Sequence, residues 1–121
     1  MITTYNNDSR EDTMEDVNKI VPKILRIKLW NEGDAGWKKN VQDINGGILA
    51  ISQFTLYARA NKAKPDFHDA MKSEDALLLY NSFVDSLKSM HPHVQTGVFG
   101  QMMSVEIHND GPVTIIIDSK E

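Results

Sequence analysis

The spacing of apolar residues changes several times along the chain, and each change marks a new element. After Thr13, the positions Val17, Ile20, Val21 and Ile24 recur at helical spacing. Thr13 reads as an N-cap, and Glu15 and Asp16 put acids in the first turn, where they suit the helix dipole. Pro22 breaks the pattern. Inside a helix a proline removes one backbone hydrogen bond and costs about 3 kcal/mol. The stripe therefore predicts a short helix that kinks or stops near Val21. Residues 25–30 (LRIKLW) alternate and predict a strand. Residues 31–36 form a turn-rich loop, and Asn45-Gly46-Gly47 is a second turn. It feeds residues 48–58 (ILAISQFTLYA), the most strand-like stretch of the chain.

Residues 59–68 (RANKAKPDFH) read as a basic loop. Ser73 predicts an N-cap for a helix reaching about Met90, with Leu77, Tyr80, Phe83, Val84 and Leu87 as its apolar stripe. His91-Pro92 ends it. A turn over residues 97–100 leads to a strand over 102–107, and a last strand is predicted over 113–118. Residues 1–12 show no periodicity and predict a loop or loose tail. The sum is helix, strand, strand, helix, strand, strand. That order predicts one α+β domain with two helices and a mixed or antiparallel sheet.

Composition narrows the function classes. At 121 residues, 40% hydrophobic and 25% charged, the chain fits a single globular domain able to bury a core. It contains no cysteine, which excludes disulfides, thiolate nucleophiles and cysteine zinc sites. With 13 basic and 17 acidic residues the net charge is -4, so nucleic acid is not drawn by overall charge, although a local basic patch is compatible with it. No apolar run reaches membrane-spanning length.

Several side chains offer chemistry, each with a plainer alternative. His68, His91, His93 and His108 lack metal-ligand spacing, so no metal or cofactor is expected and helix-end or surface roles suffice. Ser52 and Thr55 are hydroxyls in an apolar strand. A nucleophile needs a base within reach, and His68 is the only candidate nearby in sequence; otherwise the two hydroxyls bond to backbone or to each other. Gln53 presents an amide suited to a polar substrate, or an ordinary strand surface. Arg59, Lys62 and Lys64 make either a phosphate-contacting arm or a solvated loop. Met102 and Met103 suit a core or a pocket wall. Asn109-Asp110-Gly111 is a strong turn signal, but Pro112 follows it with no N–H to give to a sheet. Either the proline is turn punctuation or the backbone there has a task.

Two of these stretches, SQFTLYA (52–58) and NDGPVTIIID (109–118), resemble the signature motifs of the D-aminoacyl-tRNA deacylases, also called D-tyrosyl-tRNA deacylases. LRI (25–27), KPDF (64–67) and FGQMMSVE (99–106) fall in the family's order, and WKKN (37–40) is similar to fungal-type members. The resemblance runs from about Asp12 onward. It implies a cytoplasmic, cofactor-free, metal-free homodimer of the deacylase fold. The implied reaction hydrolyses the ester between a D-amino acid and the 3′-terminal adenosine of tRNA, with glycine mischarged on alanine tRNA as a further substrate. It implies a cis Gly111–Pro112 pair reaching into the partner subunit's site. There its carbonyls would meet the substrate amino group and exclude L side chains, with Val113, Thr114, Met102 and Met103 lining the pocket. Ser52, Gln53, Phe54 and Thr55 would form the catalytic strand, with backbone N–H groups near Phe54 and Thr55 as an oxyanion hole. The substrate's ribose hydroxyl and the main chain would do the chemistry, which leaves Thr55 in the site without a fixed role. Arg59, Lys62 and Lys64 would face the tRNA acceptor end.

The chain departs from the family pattern in three places. It has no counterpart of the strand pair that precedes the first helix, so an N-terminally truncated fold with an exposed sheet edge is expected. Pro22 sits within the first helix, and Gln101 replaces a small residue. These departures motivate a second reading, a non-catalytic relative that binds tRNA or a full-length partner subunit. An unrelated α+β binding module is the third.

Overall fold

A computed structural model describes residues 2–4 and 12–121. Helix α1 (Met14–Arg26) starts at the Thr13 cap. Thr13 Oγ1 accepts from the Glu15 N–H at 3.2 Å, and the Asp16 carboxylate accepts from the Thr13 N–H at 2.9 Å. The helix does not stop at Val21 but runs through Pro22 for another turn. The reason is burial beyond the proline. Ile24 and Leu25 keep only 8% and 2% of their surface exposed. At about 1.5–3 kcal/mol for each large apolar side chain, that burial outweighs the lost hydrogen bond. It also claims residues 25 and 26 for the helix, so the strand expected over 25–30 begins only at Trp30. Strands β2 (Trp30–Glu32) and β3 (Ala35–Lys39) form an antiparallel hairpin where the sequence reads as a loop. Gly33 at φ 57 and Asp34 make its turn.

The central sheet has the order β1-β4-β5 and is parallel. Strand β1 (Ile2–Thr4) pairs with residues 50–52 of β4 (Ile48–Ser52), so residues 2–4 are strand rather than loop; residues 5–11 lie outside the described residues. Strand β5 (Val94–Thr96) pairs with residues 48–50. Three residues between His93 and Gly97 carry too little pattern to announce a strand, and the edge of β4 makes them one. Helix α2 (Ser73–Met90) buries Ala76, Tyr80, Phe83, Val84 and Leu87, close to its expected stripe, with Lys72 rather than Ser73 at the N-cap. Tyr80, Phe83, Val84 and Leu87 meet Val17, Val21, Ile24 and Leu25 of α1 and Ile48 and Ala50 of β4 in one core. Buried His91, just past α2, hydrogen-bonds through Nε2 to the Gly46 carbonyl at 2.7 Å, fastening the 45–47 turn to the helix end.

The strands expected over 102–107 and 113–118 are not in a ladder among the described residues. Their alternation is real, but a strand needs a neighbour to bond with. Val105, Ile107, Val113, Ile115 and Ile116 are instead exposed, while Ile117 packs on the core.

The Thr13 N–H and Lys120 hold the Asp16 carboxyl down at about 2, against the opposing effect of burial. An unfolded aspartate titrates near ~3.9. The stability Asp16 contributes is therefore complete above about pH 4 and is lost as pH falls toward about 2. Thermal melts across that window should show the protein losing stability, and Asp16→Asn losing less of it. Parallel pH profiles would mean another group carries the acid sensitivity.

Candidate active site

Among the described residues, β1 pairs with β4 up to Ser52 and β5 up to Ala50. Beyond Ser52 the chain turns out of the sheet. The expected strand over 48–58 becomes a strand followed by a 3-10 turn, Phe54–Tyr57. The turn is closed by the Leu56 N–H on the Gln53 carbonyl at 3.3 Å and the Ala58 N–H on the Thr55 carbonyl at 3.1 Å. The N–H groups of Phe54 and Thr55 precede the first of these bonds and have no acceptor within the turn. Ser52 and Gln53 are half-buried, whereas Phe54 and Thr55 are exposed.

Thr55 is not set up as a nucleophile here. Its Oγ1 accepts a hydrogen bond from Gln53 Nε2, and a donating amide cannot take its proton. His68 is engaged elsewhere, with Nδ1 2.7 Å from Asp66 Oδ2 and Nε2 3.0 Å from Asp69 Oδ1. Its two nitrogens thus face two different carboxylates. No group of three or more His, Cys, Asp or Glu is placed to hold a metal ion among the described residues.

The basic loop is built around Arg59. Its backbone exchanges hydrogen bonds with Asp66 at 2.9 and 3.0 Å, and its guanidinium is tied to Asp69, which raises the Arg59 pKa. The hydrogen bonds from His68 hold the Asp66 carboxyl below its usual range. Arg59 therefore closes the loop, and Lys62 and Lys64 stand exposed near its tip, in no salt bridge among the described residues. Phe67 meets Phe54 edge-on at 5.1 Å and joins this loop to the 3-10 turn. No feature of the sequence announced that pairing; it needs the strand to end at Ser52.

Gly111–Pro112 is a cis peptide with Gly111 at φ 117. Gly111, Pro112, Val113 and Thr114 are exposed, and no hydrogen bond joins them to residues 52–55 among the described residues. The two methionines divide. Met102 is fully exposed, while Met103 lies over Gly97, beside Ile51 of β4. Gln101 is exposed. A cleft of about 850 Å³ between the starts of α1 and α2, lined by Met14, His68, Met71, Asp75 and Leu78 among others, contains neither motif. Residues 52–55 and 111–114 lie outside that cleft. Within one chain the candidate site is an open surface.

A family model described as D-Tyr-tRNA(Tyr) deacylase matches residues 5–118. A D-aminoacyl-tRNA deacylase of Candida glabrata is 51% identical over 116 residues, covering 93% of this chain and 78% of the relative. One from Schizosaccharomyces pombe is 49% identical over 114 residues, covering 92% and 76%. Among solved structures, c-Myc DNA Unwinding Element Binding Protein matches with a TM-score of 0.83 at 40% identity, covering 93% of this chain and 78% of its own.

A Cβ added at Gly97 would collide with Met103 Sδ and fall 3.1 Å from Ile51 Cδ1. Gly97→Ala should therefore destabilise the protein by about 1–3 kcal/mol through overpacking. In a Met103→Ala background the same substitution should cost less, as read by urea unfolding of the double-mutant cycle. An equal cost in both backgrounds would clear Met103 as the obstacle.

Proposed function

This chain belongs to the D-Tyr-tRNA(Tyr) deacylase family, and on that footing we propose that it hydrolyses the ester linking a D-amino acid to the 3′-terminal adenosine of tRNA. The observation that carries the reading is the pair of motifs, each in a geometry suited to its task. One supplies two backbone N–H groups without an acceptor in their turn, at the end of a buried strand; the other supplies an exposed cis Gly111–Pro112 turn. Water adds to the ester carbonyl, and the N–H groups of Phe54 and Thr55 stabilise the oxyanion that forms. The ester C–O bond then breaks, the ribose oxygen takes a proton, and D-amino acid and free tRNA are released. Ser52, Gln53 and Thr55 hold the aminoacyl moiety. Thr55 acts by touching the substrate, because no base reaches it.

The second motif works from a second copy of the chain. Its exposure, together with exposed Val113, Ile115 and Ile116 beside it, supports a homodimer. In that arrangement the Gly111 and Pro112 carbonyls accept from the substrate's amino group, and Val113, Thr114, Met102 and Met103 flank it. An L side chain is rejected by collision with this rigid backbone, so discrimination comes from exclusion rather than tighter binding. Glycine on alanine tRNA passes the same test. Lys62 and Lys64 contact acceptor-end phosphates, with Arg59 shaping their loop. The reaction belongs in the cytoplasm, where aminoacyl-tRNA is used. No helix among the described residues is long and apolar enough to cross a membrane.

Matched D- and L-tyrosyl-tRNA should separate cleanly, with the D ester lost fast and the L ester at its spontaneous rate, in a protein that sediments as a dimer. A dimer that leaves the D ester intact would remove the catalytic reading in favour of a non-catalytic tRNA-binding relative. Replacing Lys62 and Lys64 together with Gln should raise KM with little change in kcat. It should also flatten the salt dependence of KM by about 0.7 log unit per log unit of salt for each phosphate no longer neutralised. An unchanged slope would place the tRNA backbone elsewhere.

A further inference from the structure

The segment that carries the Gly111–Pro112 turn is tied down at its other end. Residues 113–118 form no backbone ladder among the described residues, and an open groove separates Ile115 and Ile116 from Lys23, Arg26 and Ile27 at the end of α1. Ile117 rests on the core. Beyond it the contacts are ionic and polar. Lys23 Nζ crosses to the Asp118 carbonyl at 3.1 Å and to the main-chain oxygen of Glu121 at 2.6 Å. Lys120 Nζ lies 3.2 Å from Asp12 Oδ1 and 3.1 Å from Asp16 Oδ1. The Lys120 N–H donates to Asp118 Oδ1 at 2.8 Å and turns the chain toward α1. The two acceptor carboxylates are mostly covered, at 12% and 14% exposure, while Lys120 is half exposed, and Asp16 is also held by the Thr13 N–H.

We propose that this clamp, Lys23 and Lys120 closing the C-terminal main chain onto Asp12 and Asp16, is the positioning device for the Gly111–Pro112 turn. The proposal rests on the reading of that turn as the element that excludes L substrates. Six residue steps, about 20 Å when extended, separate Asp118 from Pro112, and an error in angle at the anchored end grows along that length. Rejection by collision is sensitive to such error, because a shift of about 1 Å opens room for a side chain. The D ester makes no use of the collision. Loosening the clamp therefore raises hydrolysis of the L ester more than it alters that of the D ester. Lys23 and Lys120 touch no substrate; they act through the main chain they hold.

The test is Lys120→Met in the full chain, read two ways: the ratio of kcat/KM for D- over L-tyrosyl-tRNA, and the NMR order parameters of the backbone amides of residues 113–117. The ratio should fall on the order of tenfold and the order parameters should drop, and Lys120→Arg should restore both. A merely structural role would lower both kcat/KM values together and leave the ratio unchanged. An unchanged ratio in a folded Lys120→Met protein overturns the proposal. Should that variant not fold, Lys23→Met removes only the two main-chain hydrogen bonds and is read the same way. If the unaltered protein hydrolyses neither ester, the functional reading fails by itself. The order parameters then still decide the clamp, a drop keeping it and unchanged values overturning it.

Discussion

Strand β4 is hydrogen-bonded on both edges, to β1 over residues 50–52 and to β5 over residues 48–50. Its middle residue, Ala50, is fully buried, and the Ala50 carbonyl also accepts from the Tyr80 hydroxyl at 2.8 Å. A strand held on both edges and from one face has no freedom to slip, and a slip of one residue would turn every side chain over. Burial raises the Tyr80 pKa, so its hydroxyl stays protonated as a donor. The chain leaves the sheet after Ser52, at the start of the motif. The site inherits its position from the strand that this ladder holds in register.

The same departure from the sheet explains why the loop after the turn is ordered. Phe54, turned outward, meets Phe67, and Arg59, Asp66, His68 and Asp69 close the loop between them. One apparent cation of the basic patch is thereby committed to architecture. Local charge counts mistake such a residue for a ligand contact, because they cannot see a carboxylate ten residues away in sequence folding back onto it. Pro22 makes a parallel point for the backbone. A local penalty of about 3 kcal/mol is decisive in an isolated helix and secondary where two large side chains beyond it are buried.

The second motif obeys a different logic. Its strand-like alternation finds no ladder among the described residues, and its apolar side chains are left facing outward. The segment is steadied by Ile117 on the core and by charges at its far end. In the proposed homodimer this is what an element serving another subunit requires: an exposed tip and an anchored base.

Read alone, the sequence determined the local features: the Thr13 cap, the α2 stripe at Tyr80, Phe83, Val84 and Leu87, the strand from Ile48, and the turn before Pro112. Each depends on neighbours a few residues away, and so did the two motifs that resemble the deacylases. Tertiary structure decided where elements end and what pairs with what. It carried α1 through Pro22, made strands of residues 2–4 and 94–96, cut β4 at Ser52, and left residues 102–107 and 113–118 out of a ladder. Those outcomes depend on burial and on hydrogen-bond partners distant in sequence. A strand in particular is a property of two segments, and no single stretch of residues specifies its own neighbour.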